Sequence, residues 1–172
     1  MNIVQPIRDP EQIQQLKEDF KKKGLRNYIL FIMGINTGLR ISDILKLKVG
    51  DVKGSHISMR EKKTGKQKRI QITAALKREL KKFIEEREDN EYLLQSRQGK
   101  NRPIGRSMAY KILSGAAAEF GLDEIGTHTL RKTYGYHMYM QTKNIAFTYG
   151  DIQSLVREGH VTLYRYKPRC NG

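Results

Sequence analysis

The sequence has a single cysteine, Cys170, and no run of apolar residues long enough to cross a membrane. One cysteine can form neither an intrachain disulfide nor a cysteine-based zinc site, so both kinds of stabilising link are excluded. A lone cysteine fits a reducing, cytoplasmic setting. A spanning helix needs about 20 mostly apolar residues, and no stretch approaches that length. We therefore predict no membrane partner.

Acidic residues are also few, since 18 Asp and Glu stand against 33 Lys and Arg, giving a formal net charge of +15. Such an excess attracts polyanions, and a nucleic acid is the first candidate partner. A membrane surface is a weaker candidate, and the charge can also serve solubility alone. Carboxylates and histidines are not clustered at the spacing of metal ligands, so we predict no metal site.

At 172 residues the chain is long enough for one domain with its own core. Apolar spacing predicts helices at residues 10–23, 26–37, 74–87 and 107–120, a short one after Arg40, and another after Thr127. Alternating residues predict a β-hairpin, 56–60 with 68–72, and short strands at 49–52 and 92–94. The predicted fold class is α+β, mainly α-helical with a small antiparallel hairpin.

The stretch 127–140 carries a histidine and an arginine three positions apart. If Thr127 caps a helix, His128 and Arg131 lie one turn apart on the same face. Arg offers a planar fork of permanent donors, and His exchanges a proton near neutral pH. Together they can cradle a phosphate. The alternative is an ordinary surface helix with two scattered polar residues.

A second arginine follows a glycine turn. Gly38 permits a backbone turn that other residues resist, and Arg40 then stands at the start of a short helix. Ser42 and Asp43 suit the exposed amides of that helix's first turn. This places Arg40 on a rigid corner. A routine helix–helix turn with a solvated arginine is the alternative.

The predicted hairpin is densely basic around its turn. Its cations are Lys62, Lys63, Lys66, Lys68 and Arg69. Lysines at a hairpin tip are mobile point charges suited to a phosphate backbone, so we predict that they contact DNA. The alternative is an exposed strand edge that charge protects from pairing.

Three short stretches occur in a fixed order, namely Thr-Gly-Leu-Arg-Ile-Ser-Asp at 37–43, Lys-Thr-Gly at 63–65 and His-Thr-Leu-Arg at 128–131. In this order and spacing they resemble the catalytic domain of the tyrosine recombinases, the phage-integrase family. The resemblance covers residues 7–146, within a single catalytic-type domain spanning 1–172. It implies the tyrosine-recombinase catalytic fold. It also implies cleavage and rejoining of double-stranded DNA through a phosphotyrosine link, without a metal or other cofactor.

By position, the resemblance assigns a role to each motif residue. Arg40 and Arg131 would clamp the non-bridging phosphate oxygens, and His128 would be the acid/base partner. Lys63 would protonate the 5′-oxygen leaving group, and Asp43 would support the corner. Because both arginines should face the phosphate pocket, Arg40→Ala and Arg131→Ala are expected to leave the fold intact.

The sequence departs from the family pattern in two respects. We expect the chain to lack the family's N-terminal DNA-grasping domain. The family also has a second His about 23 residues after the second Arg, and a nucleophilic Tyr about nine residues later. Ser154 and Leu163 hold those places, and the nearby Tyr164 and Tyr166 have the wrong spacing.

These departures leave two functions open, an active recombinase and a catalytically inactive DNA-binding remnant of an integrase. A basic RNA-binding protein is a third, but the exposed aromatic platform of single-strand readers is lacking. We expect a monomer that can assemble as a homo-oligomer on DNA. The expected setting is the cytoplasm, as a bacterial nucleoid-associated or phage-encoded protein.

The match stops abruptly near residue 146, which leaves 147–172 as an aberrant tail. Codons chosen for residues 148–172 can encode, one base later, a His at the place of Ser154 and a Tyr at that of Leu163. We therefore predict that the tail is read in a shifted frame.

Overall fold

The computed structural model describes residues 4–122 and 125–142, without the side chains of Thr127 and Thr142. Within these residues it contains six α-helices, one 3-10 helix and a two-stranded antiparallel sheet. In chain order they are α1 (Pro10–Lys23), α2 (Leu25–Thr37), α3 (Ile41–Leu45), the 3-10 helix (Val49–Val52), β1 (His56–Arg60), β2 (Gln67–Gln71), α4 (Ala74–Ile84), α5 (Arg106–Glu119) and α6 (Thr127–Thr142). The predicted fold class is confirmed.

Helix α2 lies at the centre of the core. Most of its residues are apolar and buried, and it packs against α1, α4 and α6. The ring of Phe31 stacks on that of Phe20 from α1, with 4.8 Å between centroids. A helix that is apolar on nearly all sides must be covered on all sides, so the remaining elements assemble around α2.

The hairpin forms with His56 opposite Gln71 and Arg60 opposite Gln67. Ile57 and Met59 of β1 are buried while their neighbours are not, so the inward face is apolar and the outward face is polar. The turn closes through backbone hydrogen bonds between residues 61 and 65–66. Gly65 adopts a φ of 68° there, a conformation that favours glycine.

Two predicted strands are wrong. Residues 49–52 form a 3-10 helix, in which Val49 and Val52 are both buried, a spacing of three that matches its turn rather than strand alternation. At residues 92–94, Tyr92 makes an isolated bridge to Lys48, and residues 93–94 form a turn. Leu93 and Leu94 are buried as expected, but the Leu93 N–H donates to the Leu47 carbonyl and the Leu94 carbonyl accepts from the Ile104 N–H. The backbone is thus bonded to two different segments and has no continuous strand partner.

Helix α4 is shorter than predicted, because it ends at Ile84 rather than at residue 87. The Arg87 guanidinium instead donates to the backbone carbonyls of Tyr92 and Leu93 and to the Glu91 carboxylate. These bonds fold residues 85–93 back as a turn.

Candidate active site

The corner between α2 and α3 positions Arg40. Gly38 ends α2 with a φ of 64°, and a Cβ at Gly38 would lie 2.4 Å from the Tyr134 ring of α6. Glycine therefore serves both the left-handed backbone and the close approach of α6. Arg40 follows in extended conformation as the residue capping α3, so its side chain leaves from a fixed point, as the sequence predicts.

Helix α6 brings Arg131 to the same corner. The Arg131 side chain is 2 % exposed, and its Nε donates to the Gly38 carbonyl at 2.8 Å. Close packing of Leu130 against Gly34 of α2 holds the two helices together. Gly38 is only two positions before Arg40. The bond from Arg131 to Gly38 therefore brings Arg131, from a distant part of the sequence, to the corner that carries Arg40.

This burial changes one expectation from the sequence. A guanidinium that is enclosed by protein and bonded to a backbone carbonyl stabilises the fold, in addition to any role in binding a ligand. The expectation that Arg131→Ala leaves the fold intact therefore no longer holds. Arg40 is less enclosed, since its side chain keeps 12 % exposure.

Asp43 joins α3 to the hairpin. Its side chain is buried in the first turn of α3, and Oδ1 accepts a hydrogen bond from the Lys62 backbone N–H at 3.1 Å. The Lys46 ammonium lies 3.2 Å from the same oxygen. Lys63, the next residue after Lys62, is exposed. Asp43 thus ties the hairpin turn, which carries Lys63, next to the α2–α3 corner.

Sequence reasoning missed Glu61, which lies at the contact between the hairpin and Arg40. Glu61 Oε2 accepts from Arg40 Nη1 at 3.0 Å and from the Thr64 hydroxyl at 2.7 Å. Its Oε1 lies 3.7 Å from the Lys68 ammonium. The signal was present, because Glu61 is the only acidic residue within the basic stretch 60–69.

The surroundings of Glu61 favour its charged form. Burial alone raises the pKa of a carboxyl. Here the hydrogen bond from Thr64 and the charges of Lys68 and Arg40 outweigh burial, and together they hold the pKa of Glu61 below its ordinary value. Glu61 is therefore a carboxylate at neutral pH.

The basic residues of the hairpin do not form one surface. Lys62, Lys66 and Arg69 are exposed, as expected of groups that contact DNA. Lys68 is half-buried, on the same side of β2 as the buried Ile70, and its ammonium is near Glu61. Strand alternation explains the difference between Lys68 and Arg69.

His128 lies near the start of α6, half-buried and three positions before Arg131. The predicted one-turn spacing on a helix is present. The start of the helix differs, because α6 includes Thr127 itself. At the N-terminus of α6, the Thr129 hydroxyl accepts a hydrogen bond from the Gly126 N–H at 3.0 Å.

Residues 4–8 lie along α6. The Ile7 N–H donates to the Thr133 hydroxyl at 3.0 Å, and the Lys132 ammonium donates to the Val4 carbonyl at 2.6 Å. The His137 Nε2 lies 2.9 Å from the Ile7 carbonyl. Burial lowers the pKa of Lys132. These contacts fasten the first described segment to the helix that carries His128.

Ser154, Leu163, Tyr164 and Tyr166 lie outside the described residues, and so does the predicted frame shift. Among residues 4–122 and 125–142, no group of three or more His, Cys, Asp or Glu side chains is placed to hold a metal ion. No helix in the same part of the chain is long and apolar enough to cross a membrane.

Comparison with known proteins identifies relatives over most of the chain. The profile of the phage integrase family matches residues 8–148. The probable integrase/recombinase YoeC of Bacillus subtilis is 52 % identical over 147 residues, covering 85 % of this chain and 81 % of YoeC. The tyrosine recombinase XerA of Pyrococcus furiosus is 27 % identical over 157 residues, which cover 89 % of this chain and 52 % of XerA. The chain thus spans about half the length of XerA.

Solved structures share the fold. The XerH recombinase bound to its difH substrate superposes with a TM-score of 0.73 at 17 % identity, covering 98 % of this chain and 52 % of XerH. The catalytic core of lambda integrase gives a TM-score of 0.67 at 16 % identity, covering 86 % of this chain and 91 % of that core. The architecture is that of a tyrosine-recombinase catalytic domain, and with the profile match and the similarity to YoeC, the chain belongs to the phage integrase family.

Proposed function

We propose that this chain holds the catalytic centre of a site-specific DNA recombinase that cleaves and rejoins double-stranded DNA through a phosphotyrosine link, without a metal. One observation carries the proposal, namely that three distant motif stretches meet at one corner. Arg131 is bonded to Gly38, Arg40 follows two residues later, and the hairpin is bonded to Asp43. XerH, which shares the fold, is seen bound to a DNA substrate, and this supports the same partner here.

The proposed chemistry follows from the donors at the corner. Phosphoryl transfer depends mainly on positioning and on stabilising charge. Arg40 and Arg131 would bind the non-bridging oxygens, which suits planar guanidinium forks. A tyrosine oxygen would bond to phosphorus as the bond to the 5′-oxygen breaks. His128 would accept the tyrosine proton, and Lys63 would give one to the 5′-oxygen.

A second function has its own observation in favour. The family profile ends at residue 148, and Ser154 and Leu163 stand where the family has its second His and its Tyr. A chain without these two groups would keep the basic hairpin and the arginines, bind DNA, and fail to cleave it. This is the DNA-binding remnant. We propose that either form is a monomer off DNA and can form a homo-oligomer on it.

A nicked suicide substrate separates the two functions, because loss of a short strand traps the phosphotyrosine product. An active recombinase gives a covalent protein–DNA band that survives denaturant. If an irregular tyrosine acts, Tyr164→Phe or Tyr166→Phe removes the band. Tyr110→Phe is the matched control, since Tyr110 is 53 % exposed on α5. Salt-sensitive DNA binding without any band supports the remnant, and no DNA binding at all contradicts both.

A further inference from the structure

Glu61 presents a negative charge in the place where the proposed function needs a phosphate. Its carboxylate lies 3.0 Å from Arg40 Nη1, the kind of contact that a guanidinium makes with a phosphate oxygen. Its other oxygen faces Lys68, a predicted DNA-contacting residue, at 3.7 Å. Two of the cations assigned to DNA are therefore already paired with one acid of the same chain.

The hairpin holds this carboxylate firmly. The Glu61 N–H donates to the Lys66 carbonyl, and the Glu61 carbonyl accepts from the Gly65 N–H, both at 2.9 Å. The Thr64 hydroxyl binds the same carboxylate oxygen that faces Arg40. With the backbone fixed on both sides and a hydroxyl holding the oxygen, the carboxylate is directed at Arg40 by its own turn.

The ion pair is also shielded from water. The side chains of Arg40, Glu61 and Lys68 are 12 %, 11 % and 18 % exposed. Screening weakens such a pair less than one in open solvent, so an incoming phosphate meets an arginine whose charge is already offset. To reach the same donor, a phosphate must replace the carboxylate or share the guanidinium with it.

We propose that Glu61 is an internal substitute for DNA phosphate, masking Arg40 and Lys68 in the free protein and exchanging with the DNA backbone on binding. This rests on the proposed function, because it takes Arg40 as a phosphate ligand. The exchange limits the affinity for DNA. It also means that the Arg40 charge is fully available only when a DNA strand is bound at the hairpin.

The test is the affinity of the full chain for duplex DNA, measured by fluorescence anisotropy over a series of salt concentrations. Glu61→Gln is nearly isosteric and removes the charge. We expect it to bind DNA about fivefold more tightly than the unmodified chain, as expected for loss of one modest ion pair. The slope of log affinity against log salt should steepen by up to about 0.9, the value for one phosphate contact.

Glu91→Gln is the matched control, because it removes the same charge from another arginine–glutamate pair, Arg87–Glu91, with 2.9 Å between Nε and Oε2. That change should alter affinity by less than about twofold, because Glu91 lies outside the corner and its pair with Arg87 is worth little. The gain from Glu61→Gln should be smaller in an Arg40→Ala background, since Lys68 is then the one cation of this pair that the carboxylate still masks.

Glu61→Asp separates contact from charge, because it keeps the carboxylate but shortens its reach. It should raise affinity by a smaller factor, and thermal unfolding of each variant confirms that the hairpin still folds. A loss of affinity in folded Glu61→Gln, or a gain no larger than that of Glu91→Gln, overturns the inference while the proposed function stands. Failure of the unmodified chain to bind DNA, or binding indifferent to Arg40→Ala, overturns the proposed function and the inference with it.

Discussion

At the scale of single residues, Arg131 combines a proposed ligand role with a structural one. Its side chain is enclosed, and its Nε bonds the Gly38 carbonyl at the turn that presents Arg40. We expect Arg131→Ala to lower the free energy of unfolding by about 2–4 kcal/mol, because a buried carbonyl loses its donor and a cavity opens. Urea denaturation measures this.

Arg69→Ala is the control for that prediction, because Arg69 is exposed on the outward face of β2. Its stability should change by no more than about 0.5 kcal/mol. Equal stability of the two variants would show that Arg131 does not hold the corner. Any loss of DNA affinity in Arg131→Ala would then reflect binding alone, without a contribution from unfolding.

Glu61 makes stability depend on pH in a defined direction. Because interactions in the folded protein hold its pKa below the ordinary value, the folded state favours the carboxylate more than the unfolded state does. The resulting stabilisation is present above the unfolded-state pKa and is lost as the pH falls through the folded-state pKa. We expect unmodified protein to melt above Glu61→Gln at pH 7, and this difference to shrink on acidification below the ordinary carboxyl range.

Melting temperatures across that acid range measure the effect. Glu91→Gln is again informative, since the Arg87 hydrogen bond also lowers the pKa of Glu91, but Glu91 lies outside the corner. A melting difference between the unmodified chain and Glu61→Gln that stays constant with pH would contradict the prediction.

At the scale of helices and strands, the local hydrophobic pattern predicted those elements whose burial depends on residues close together in the sequence. Helix α2 was evident because residues 28–33 form a continuous apolar run, and the hairpin because its strands alternate around a glycine turn. The strand predicted at 49–52 failed because burial of Val49 and Val52 depends on neighbours distant in sequence. Glu61 was missed for the same reason, since its partner Arg40 lies 21 positions away.

Among the contacts that hold segment 4–8 against α6, one buried hydroxyl is predicted to fix the Ile7 amide. The Thr133 hydroxyl is enclosed and accepts from the Ile7 N–H. Thr133→Val keeps the shape but leaves that N–H without its acceptor, a cost of about 1–3 kcal/mol. Hydrogen exchange at the Ile7 amide should become faster. Ser114→Ala, which removes a hydroxyl that bonds within α5, should leave that exchange unchanged. An unchanged exchange rate in Thr133→Val would show that the Thr133 bond does not hold the segment.

At the scale of the whole molecule, candidate motif residues could be named from the sequence, because a motif is defined by residue types and their spacing along the chain. Their meeting at one corner could not be predicted, since it depends on α6 packing against Gly34 of α2 and against Gly38, the residue that follows α2. The basic charge of +15 indicated a polyanion without locating its surface. The fold distributes that charge, with Lys62, Lys66 and Arg69 outward and Lys68 turned toward Glu61.

The last prediction concerns the gene for this chain. The family profile ends at residue 148, close to where the motif resemblance stops, and gradual divergence does not end so sharply. Codons for residues 148–172 exist that, one base later, encode a His at the place of Ser154 and a Tyr at that of Leu163. Removing one base near codon 147 should therefore restore both family residues after an otherwise intact arginine corner.

If the frame is shifted, the restored chain should form a covalent adduct with the nicked substrate, and the present chain should behave as the remnant and bind DNA without one. Replacing the restored tyrosine by phenylalanine should abolish the adduct and leave DNA affinity within about twofold, because a single hydroxyl adds little to backbone contacts. Arg40→Ala in the restored chain should also abolish it, since the corner is then incomplete. A gene whose shifted frame has a stop codon, or lacks the His and the Tyr, would refute the frame shift and leave the tail as this protein's own sequence.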